Sequence, residues 1–241
     1  MNILAIGNSF SSDATRYLHG VAKGEGEKLK VVNLYISGCS LERHFRNMLS
    51  EERVYELQVN GEASGFRVSL KEALLNRAWD VVTMQQASCY SPRYETYQPY
   101  LCELSSYVKR LCPGARQVIH QTWSYEKGSE KLCVQMGYAE PSQMTADIVA
   151  AYARAVEAIE ADAIIPSGEL FAHMLESGIE TVHRDTFHAS RGLGRYALAL
   201  LWYGVLTGKS VEGNAFSCLD EPITEEQRAI AIRCVTELLK N

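Results

Sequence analysis

Short apolar runs alternate with amphipathic segments along most of the chain. Five runs are typical of buried strands, and they cover residues 2–6, 30–36, 80–84, 117–119 and 163–165. Segments with the apolar spacing of a helix fall between or after them, at 14–23, 41–49, 70–78, 94–111, 141–160, 167–175, 193–206 and 225–239. Strands that are apolar on both faces are typical of parallel sheets. The alternation therefore predicts an α/β fold, a parallel five-stranded sheet with helices on both faces.

One stretch interrupts this alternation. Two strand-like segments within residues 54–68 flank Asn60-Gly61, a dipeptide that favours a two-residue type I′ turn. We expect a small β-hairpin insertion here, and a long loop at 124–140. Both are expected to shape a pocket. No linker rich in Pro, Gly or Ser divides the chain, so residues 1–241 are expected to form a single domain.

Composition narrows the function classes. The net charge of −5 argues against a nucleic-acid partner or an anionic membrane surface, since both need clustered Lys and Arg. No run approaches the 18 apolar residues of a membrane span, and no basic stretch precedes an apolar run as in a secretory signal, so the expected location is cytoplasmic. The seven cysteines are scattered and lack a C-x-x-C pair, which indicates free thiols. No His-x-His or His-Glu-x-x-His cluster is present, and we expect neither a metal nor another cofactor.

Polar residues follow the predicted strands at the points where those strands end. Ligands of parallel α/β sheets bind at the carboxyl ends of strands, near the position where strand order reverses. The polar groups to consider there are residues 7–9, 37–40 and 85–88, together with 184–188 in the polar loop before the second-last helix.

A serine nucleophile can be assembled from two of these groups. Ser9 lies where a strand turns into a helix, His188 can take its proton, and Asp185 can orient the imidazole. The alternatives are structural. Ser9 could instead cap the first helix, and Asp185 could be only an ion-pair partner of Arg184 or Arg191.

Several other residues could complete such a site. His183 is the rival base, although it precedes the carboxylate by only two residues. The oxyanion could be bound by the amides of Ser9 and Gly38, with a carboxamide after the third strand, from Gln85 or Gln86, as a third donor. One such donor contributes roughly 3–4 kcal/mol in the transition state. Three residues are candidates for contact with substrate: Asn8, Tyr90 and Trp123.

These motifs resemble those of a known family. Ile6-Gly7-Asn8-Ser9-Phe10-Ser11 resembles the Gly-Asp-Ser motif of the SGNH (GDSL-like) hydrolases, with Asn8 in place of Asp. Gly38 lies where that family has its second-block glycine, and Asp185-Thr186-Phe187-His188 matches its late Asp-x-x-His motif. The third-block Gly-x-Asn is absent, and Gln85-Gln86-Ala87-Ser88 resembles the Gln-x-x-Ser of carbohydrate acetylesterases instead. The resemblance covers nearly the whole chain and is greatest to a bacterial subgroup of unassigned function.

The resemblance implies a flavodoxin-like three-layer α/β/α fold and a serine esterase with a Ser-His-Asp triad. The expected substrate is a small-molecule or carbohydrate ester with a small, acetyl-like acyl group. Two other functions fit the same strand–turn–helix. A flavodoxin-like protein could hold a phosphate at the first helix N-terminus, but it would not need Asp185 and His188. A protein that binds a sugar without cleaving it is the other alternative.

Overall fold

A parallel sheet extended by a hairpin forms the centre of the molecule. The structure is a computed structural model that describes residues 1–240; residue 241, the last of the predicted domain, lies outside the described residues. Within 1–240 the sheet has seven strands in the order β4-β3-β2-β1-β5-β6-β7. The strands are β1 (Asn2–Gly7), β2 (Lys30–Tyr35), β3 (Tyr55–Val59), β4 (Glu62–Val68), β5 (Val81–Met84), β6 (Arg116–His120) and β7 (Ala163–Ile165). The predicted fold class is confirmed, and the five predicted strands are the parallel ones.

The predicted hairpin joins the sheet as its antiparallel edge. Asn60 and Gly61 form the turn with φ of 52° and 86°, the positive values that a type I′ turn requires. Because β3 runs antiparallel to β2, with Val32 opposite Val59, this turn lies at the amino ends of the parallel strands. The turn of the hairpin therefore points away from the edge where ligands of such sheets bind.

Helices cover both faces of the sheet. They are α1 (Ser9–Thr15), α2 (Leu18–Gly24), α3 (Leu41–Ser50), α4 (Leu70–Leu75), α5 (Tyr100–Leu111), α6 (Pro141–Ile159), α7 (Ser167–Glu176), α8 (Leu193–Thr207) and α9 (Glu225–Leu238). Helices α1, α2, α7 and α9 pack around α8, and α3, α4 and α6 pack against α5. Helix α8 is apolar on nearly all sides, as expected for a helix enclosed by others. In the described part of the chain, no helix combines the length and apolarity that crossing a membrane requires.

Three predicted helices differ from the structure by more than one residue, and one of them, predicted at 70–78, ends at Leu75. The first helix begins at Ser9 rather than at residue 14, because Asn8 caps it there, and Arg16–Tyr17 separates it from α2. The predicted helix over 94–111 is divided into a 3₁₀ turn at Tyr94–Tyr97 and α5. Pro99 stands between them, and proline removes the backbone donor that a continuous helix would use.

Candidate active site

The turn between β1 and α1 presents Ser9 at the centre of the sheet. Asn8 is the N-cap of α1, and its Oδ1 accepts a hydrogen bond from the Phe10 amide at 3.0 Å. The Asn8 Nδ2 donates to the Cys39 carbonyl at 3.0 Å, which ties this turn to the one after β2. Asn8 therefore caps α1, and the Ser9 hydroxyl remains available for a hydrogen bond to another residue.

That partner is His188. The Ser9 Oγ lies 2.9 Å from the His188 Nε2, although 179 residues separate them in the chain. On the other side of the ring, Nδ1 lies 2.8 Å from the Asp185 Oδ2, and the His188 backbone amide donates to Oδ1 at 2.9 Å. A proton on Nδ1 faces the carboxylate, so Nε2 is left to accept the serine proton. This is the arrangement in which a histidine can act as general base.

The electrostatics of Asp185 favour an ionised carboxylate. Partial burial acts to raise its pKa, but hydrogen bonds from the His188 ring and amide act in the other direction, as does the positive charge of Arg184. The net effect is a pKa below the ordinary value. The carboxylate can therefore stabilise an imidazolium that forms beside it.

A tight loop, residues 183–189, carries Asp185 and His188. His183 and Ala189 form an isolated antiparallel bridge, and the Arg184 amide donates to the His188 carbonyl at 3.0 Å. Thr186 at the tip has a φ of 72°, in the left-handed region that a β-branched residue rarely adopts. His183, the rival base, is directed elsewhere: its Nε2 lies 3.0 Å from the Ser124 carbonyl, and burial lowers its pKa.

An ion-pair cluster joins the loop to the helix that carries Ser9. Asp13 on α1 is 1% exposed, and the Arg184 Nη1 lies 2.9 Å from each of its two carboxylate oxygens. The Arg195 Nε donates to the same carboxylate at 2.9 Å. In contrast, the Arg184 Nε lies 4.0 Å from Asp185, so its main partner is Asp13. Sequence spacing gives no sign of this cluster, because Asp13 is more than 170 residues from either arginine.

Ser9 and His188 open into a cleft of about 240 Å³ at the carboxyl ends of β1, β2 and β5. Strand order reverses between β1 and β5, so this is the position where a ligand is expected in an open α/β sheet. The cleft is lined by Asn8, Ser9, Phe10, Ser37, Gly38, Ala87, Ser88, Cys89, Tyr125, Lys131, Phe187 and His188. The loop at 124–140 contributes to it as expected. The hairpin contributes nothing, and that expectation was wrong.

Two predicted substrate contacts do not line the cleft. Trp123 is 0% exposed; it stacks on Phe10 with ring centroids 4.1 Å apart and donates to the Phe187 carbonyl at 2.8 Å. It therefore supports the cleft from within the core. Tyr90 is 42% exposed, and the Arg93 guanidinium lies 5.7 Å from its ring centroid. Its side chain stands outside the cleft because the turn after β5 directs it toward solvent.

The side-chain carboxamides that were predicted as oxyanion donors form hydrogen bonds with other protein groups. Gln85 is 2% exposed; its Nε2 donates to the Asn8 Oδ1 and its Oε1 accepts from the His120 Nδ1, both at 2.7 Å. The His120 Nε2 lies 3.1 Å from the Ser167 Oγ. Burial lowers the pKa of His120 to about 3, so the ring is neutral and the chain of hydrogen bonds has one direction. The prediction of Gln85 as an oxyanion donor is not supported, because this row holds its carboxamide below the cleft.

The Gln86 carboxamide is also hydrogen-bonded within the protein at both its nitrogen and its oxygen. Its Nε2 donates to the carbonyl and the hydroxyl of Thr96 at 2.9 and 3.2 Å. Its Oε1 accepts from the amides of Leu41 and Ala87 at 3.0 and 2.8 Å. With both amide hydrogens used, Gln86 has none to offer an oxyanion, and it does not line the cleft.

Two backbone amides remain from the predicted set of oxyanion donors. Within residues 1–240, the amides of Ser9 and Gly38 donate to no protein acceptor, and both residues line the cleft. Gly38 has a φ of 58°, a conformation that glycine adopts without strain. A pair of hydroxyls faces the same space, since the Ser88 Oγ and the Tyr125 OH lie 2.9 Å apart. Only one of their two hydrogens is used between them, and the other can be donated into the cleft.

No metal site accompanies this arrangement in the part of the chain that the structure describes: nowhere in 1–240 do three or more His, Cys, Asp or Glu side chains come together as ligands.

The fold is that of the SGNH hydrolases, and structural neighbours of this chain are SGNH hydrolases. A protein from Slackia heliotrinireducens that has been proposed to be an SGNH hydrolase is 25% identical, with a TM-score of 0.62 over 86% of this chain and 98% of its own. Axe2, an acetylxylan esterase from Geobacillus stearothermophilus, has a TM-score of 0.52 over 84% of this chain and 90% of its own. At 15% identity it shows the fold alone.

The chain belongs to the DUF4886 family, a domain of unknown function, which it matches over residues 2–232. A DUF4886 family protein from Bacteroides uniformis is 31% identical, with a TM-score of 0.93 over 100% of this chain and 95% of its own. No protein with a curated function matches the sequence.

Proposed function

We propose that this protein is a serine esterase that removes a small acyl group, such as acetyl, from a carbohydrate. The observation that supports it most is the contact of 2.9 Å between the Ser9 Oγ and the His188 Nε2, on a ring whose Nδ1 faces Asp185 at 2.8 Å. A serine that only capped a helix would not need a histidine at this position.

The reaction follows from these contacts. The Ser9 Oγ attacks the ester carbonyl while the His188 Nε2 takes its proton, and the tetrahedral oxyanion accepts hydrogen bonds from the amides of Ser9 and Gly38. The imidazolium then gives the proton to the leaving alcohol oxygen, and the C–O bond breaks to leave an acyl-enzyme. In the second half of the reaction, water attacks the acyl carbon while the His188 Nε2 takes its proton. The imidazolium then gives that proton to the Ser9 Oγ as the acyl group leaves as a carboxylic acid. Asp185 stays ionised throughout, stabilising the imidazolium.

The size of the cleft and the fold support the substrate class. A volume of about 240 Å³ suits a small acyl group and part of the alcohol next to it. One protein with this fold is an acetylxylan esterase. We therefore propose an acetylated carbohydrate as the substrate class of this protein as well.

Hydrolysis of 4-nitrophenyl acetate, and release of acetate from an acetylated xylo-oligosaccharide, would test the activity. We expect Ser9→Ala and His188→Ala each to lower kcat by roughly 10⁴- to 10⁶-fold, as in other enzymes where these residues act as a unit. Ser12→Ala, on the same helix but outside the cleft, and His173→Ala, at a surface hydrogen bond with Glu237, are the matched controls. Full activity in purified Ser9→Ala would refute the proposal.

A fluorophosphonate probe separates an esterase from a non-catalytic sugar-binding protein. Only an activated serine reacts with it, so intact-mass measurement should show one adduct on the wild type and on Ser12→Ala, and none on Ser9→Ala. An unlabelled wild-type protein that still binds oligosaccharide would favour the binding function instead.

A further inference from the structure

Lys131 brings an unpaired positive charge to the cleft. Among the lining residues it is the one with a permanent charge, and its Nζ lies 4.2 Å from the ring centroid of Phe187, the neighbour of His188. Three other lysines each face a glutamate: Lys71, Lys127 and Lys209. Within the described residues no carboxylate lies within 4.0 Å of the Lys131 Nζ.

The backbone around Lys131 holds this charge in place. Lys131–Gln135 forms one π-helical turn, in which the Lys131 carbonyl accepts from the Met136 amide at 3.0 Å. The next residue, Leu132, is 0% exposed, and its carbonyl accepts from the Tyr138 amide at 3.0 Å. The turn is thus anchored in the core, while the half-buried Lys131 is directed at the cleft.

A second cation, Arg93, contacts a residue of the cleft from outside it. The Arg93 Nη2 donates to the Cys89 carbonyl at 3.3 Å, and Cys89 itself lines the cleft. Arg93 is not among the lining residues, so Lys131 is the cation that faces a ligand in the cleft. No carboxylate pairs with Arg93 in residues 1–240. A chain with a net charge of −5 therefore has a locally positive cleft.

We infer that the ester substrate carries an anionic group, a carboxylate, which Lys131 binds beside the reacting carbonyl. The inference rests on the proposed esterase function and specifies its substrate class. A half-buried ammonium without a partner gains a charge-assisted hydrogen bond when a carboxylate arrives. The carboxylate can belong to the alcohol, as in an acidic sugar, or to the far end of the acyl group.

Paired esters that differ only in charge would test the inference. On the alcohol side the pair is 4-acetoxybenzoate and 4-acetoxybenzamide; on the acyl side it is the 4-nitrophenyl monoester of adipic acid and the corresponding terminal amide. Each kcat/KM is divided by the rate of alkaline hydrolysis of the same ester, which removes differences in intrinsic reactivity. We expect the wild type to prefer the anionic member of at least one pair by roughly tenfold, since a charged hydrogen bond contributes that much.

Substitutions assign the preference to Lys131. Lys131→Met should reduce the anionic-to-neutral ratio by roughly tenfold, and Lys131→Glu should invert it. Lys127→Met, four residues earlier and paired with Glu140 at 3.0 Å, should leave the ratio as in the wild type. Added salt should lower the ratio in the wild type but not in Lys131→Met, because salt screens charge.

The outcomes separate the two proposals. If the wild type hydrolyses both members of each pair equally, and Lys131→Met leaves the ratios unchanged, the substrate inference is wrong and the esterase proposal stands. If it hydrolyses none of the four esters while Ser9 also fails to react with the fluorophosphonate, the esterase proposal fails and the inference fails with it.

Discussion

Replacing Asp13 by Asn should loosen the loop that carries Asp185 and His188, because Arg184 of that loop is held by the Asp13 carboxylate. The carboxylate accepts three contacts of 2.9 Å from Arg184 and Arg195. An asparagine keeps one oxygen acceptor but turns an amide toward an arginine donor, and it removes the negative charge between two cations. Asp13 is 1% exposed, whereas the two arginine side chains are 22% and 17% exposed.

The magnitude follows from this burial. Breaking a buried ion pair costs about 3–5 kcal/mol, and the partial exposure of the arginines places the expected loss at the lower end, about 3 kcal/mol. For a chain of this length that corresponds to a melting temperature lower by roughly 6–12 °C. Because Arg184 precedes Asp185, kcat should also fall, by roughly 10- to 100-fold, since a displacement of about 1 Å can cost that much.

Urea unfolding and steady-state hydrolysis of 4-nitrophenyl acetate would measure both effects. Glu62→Gln, which removes the exposed carboxylate paired with Arg16, is the charge-matched control and should change stability by less than about 0.5 kcal/mol. The double variant Asp13→Asn/Arg184→Met removes one stranded cation, so its loss of stability should be smaller than the sum of the single losses. If Asp13→Asn matches Glu62→Gln in both midpoint and kcat, the cluster does not hold the loop.

Two further predictions concern stability. Burial lowers the pKa of His44 and His120 to about 3, below the 6.5 of an exposed histidine, so on acidification the unfolded chain takes up protons that the folded protein does not. Each should reduce the free energy of unfolding by about 1.4 kcal/mol per pH unit below 6.5, and an unfolding midpoint that stays constant from pH 7 to pH 5 would contradict this. Gly7→Ala should cost roughly 2–3 kcal/mol by overpacking, because the added methyl carbon would lie 2.2 Å from the Ser11 Oγ. Gly24→Ala, where nothing lies within 4 Å, is its control, and equal thermal stability of the two variants would refute the argument.

The alternation of apolar runs and helical segments was enough to predict the sheet. Periodicity depends on local sequence, and the turn chemistry of Asn60-Gly61 placed the hairpin to within two residues at each end. The order of the motifs predicted that Ser9 and His188 would meet, and in the structure their side chains lie 2.9 Å apart.

What could not be predicted depends on contacts between distant segments. Whether Gln85 faces the cleft or the core is decided by His120 and Ser167, which nothing in the spacing of residues 85–88 reveals. Trp123 was predicted to contact substrate, but in the structure it stacks on Phe10 in the core. Lys131 lies in a single π-helical turn, which has no hydrophobic period that a sequence could show.

The row of side chains beneath the cleft crosses the sheet in strand order. Asn8 follows β1, Gln85 follows β5, His120 ends β6 and Ser167 follows β7, with each joined to the next by a hydrogen bond. Each side chain must therefore match the donor or acceptor of its neighbours. A single replacement leaves a buried donor or acceptor without a hydrogen-bond partner. Over evolutionary time these four positions should be inherited and exchanged as a set, so a relative that has lost the histidine is expected to have a different residue at the glutamine position as well.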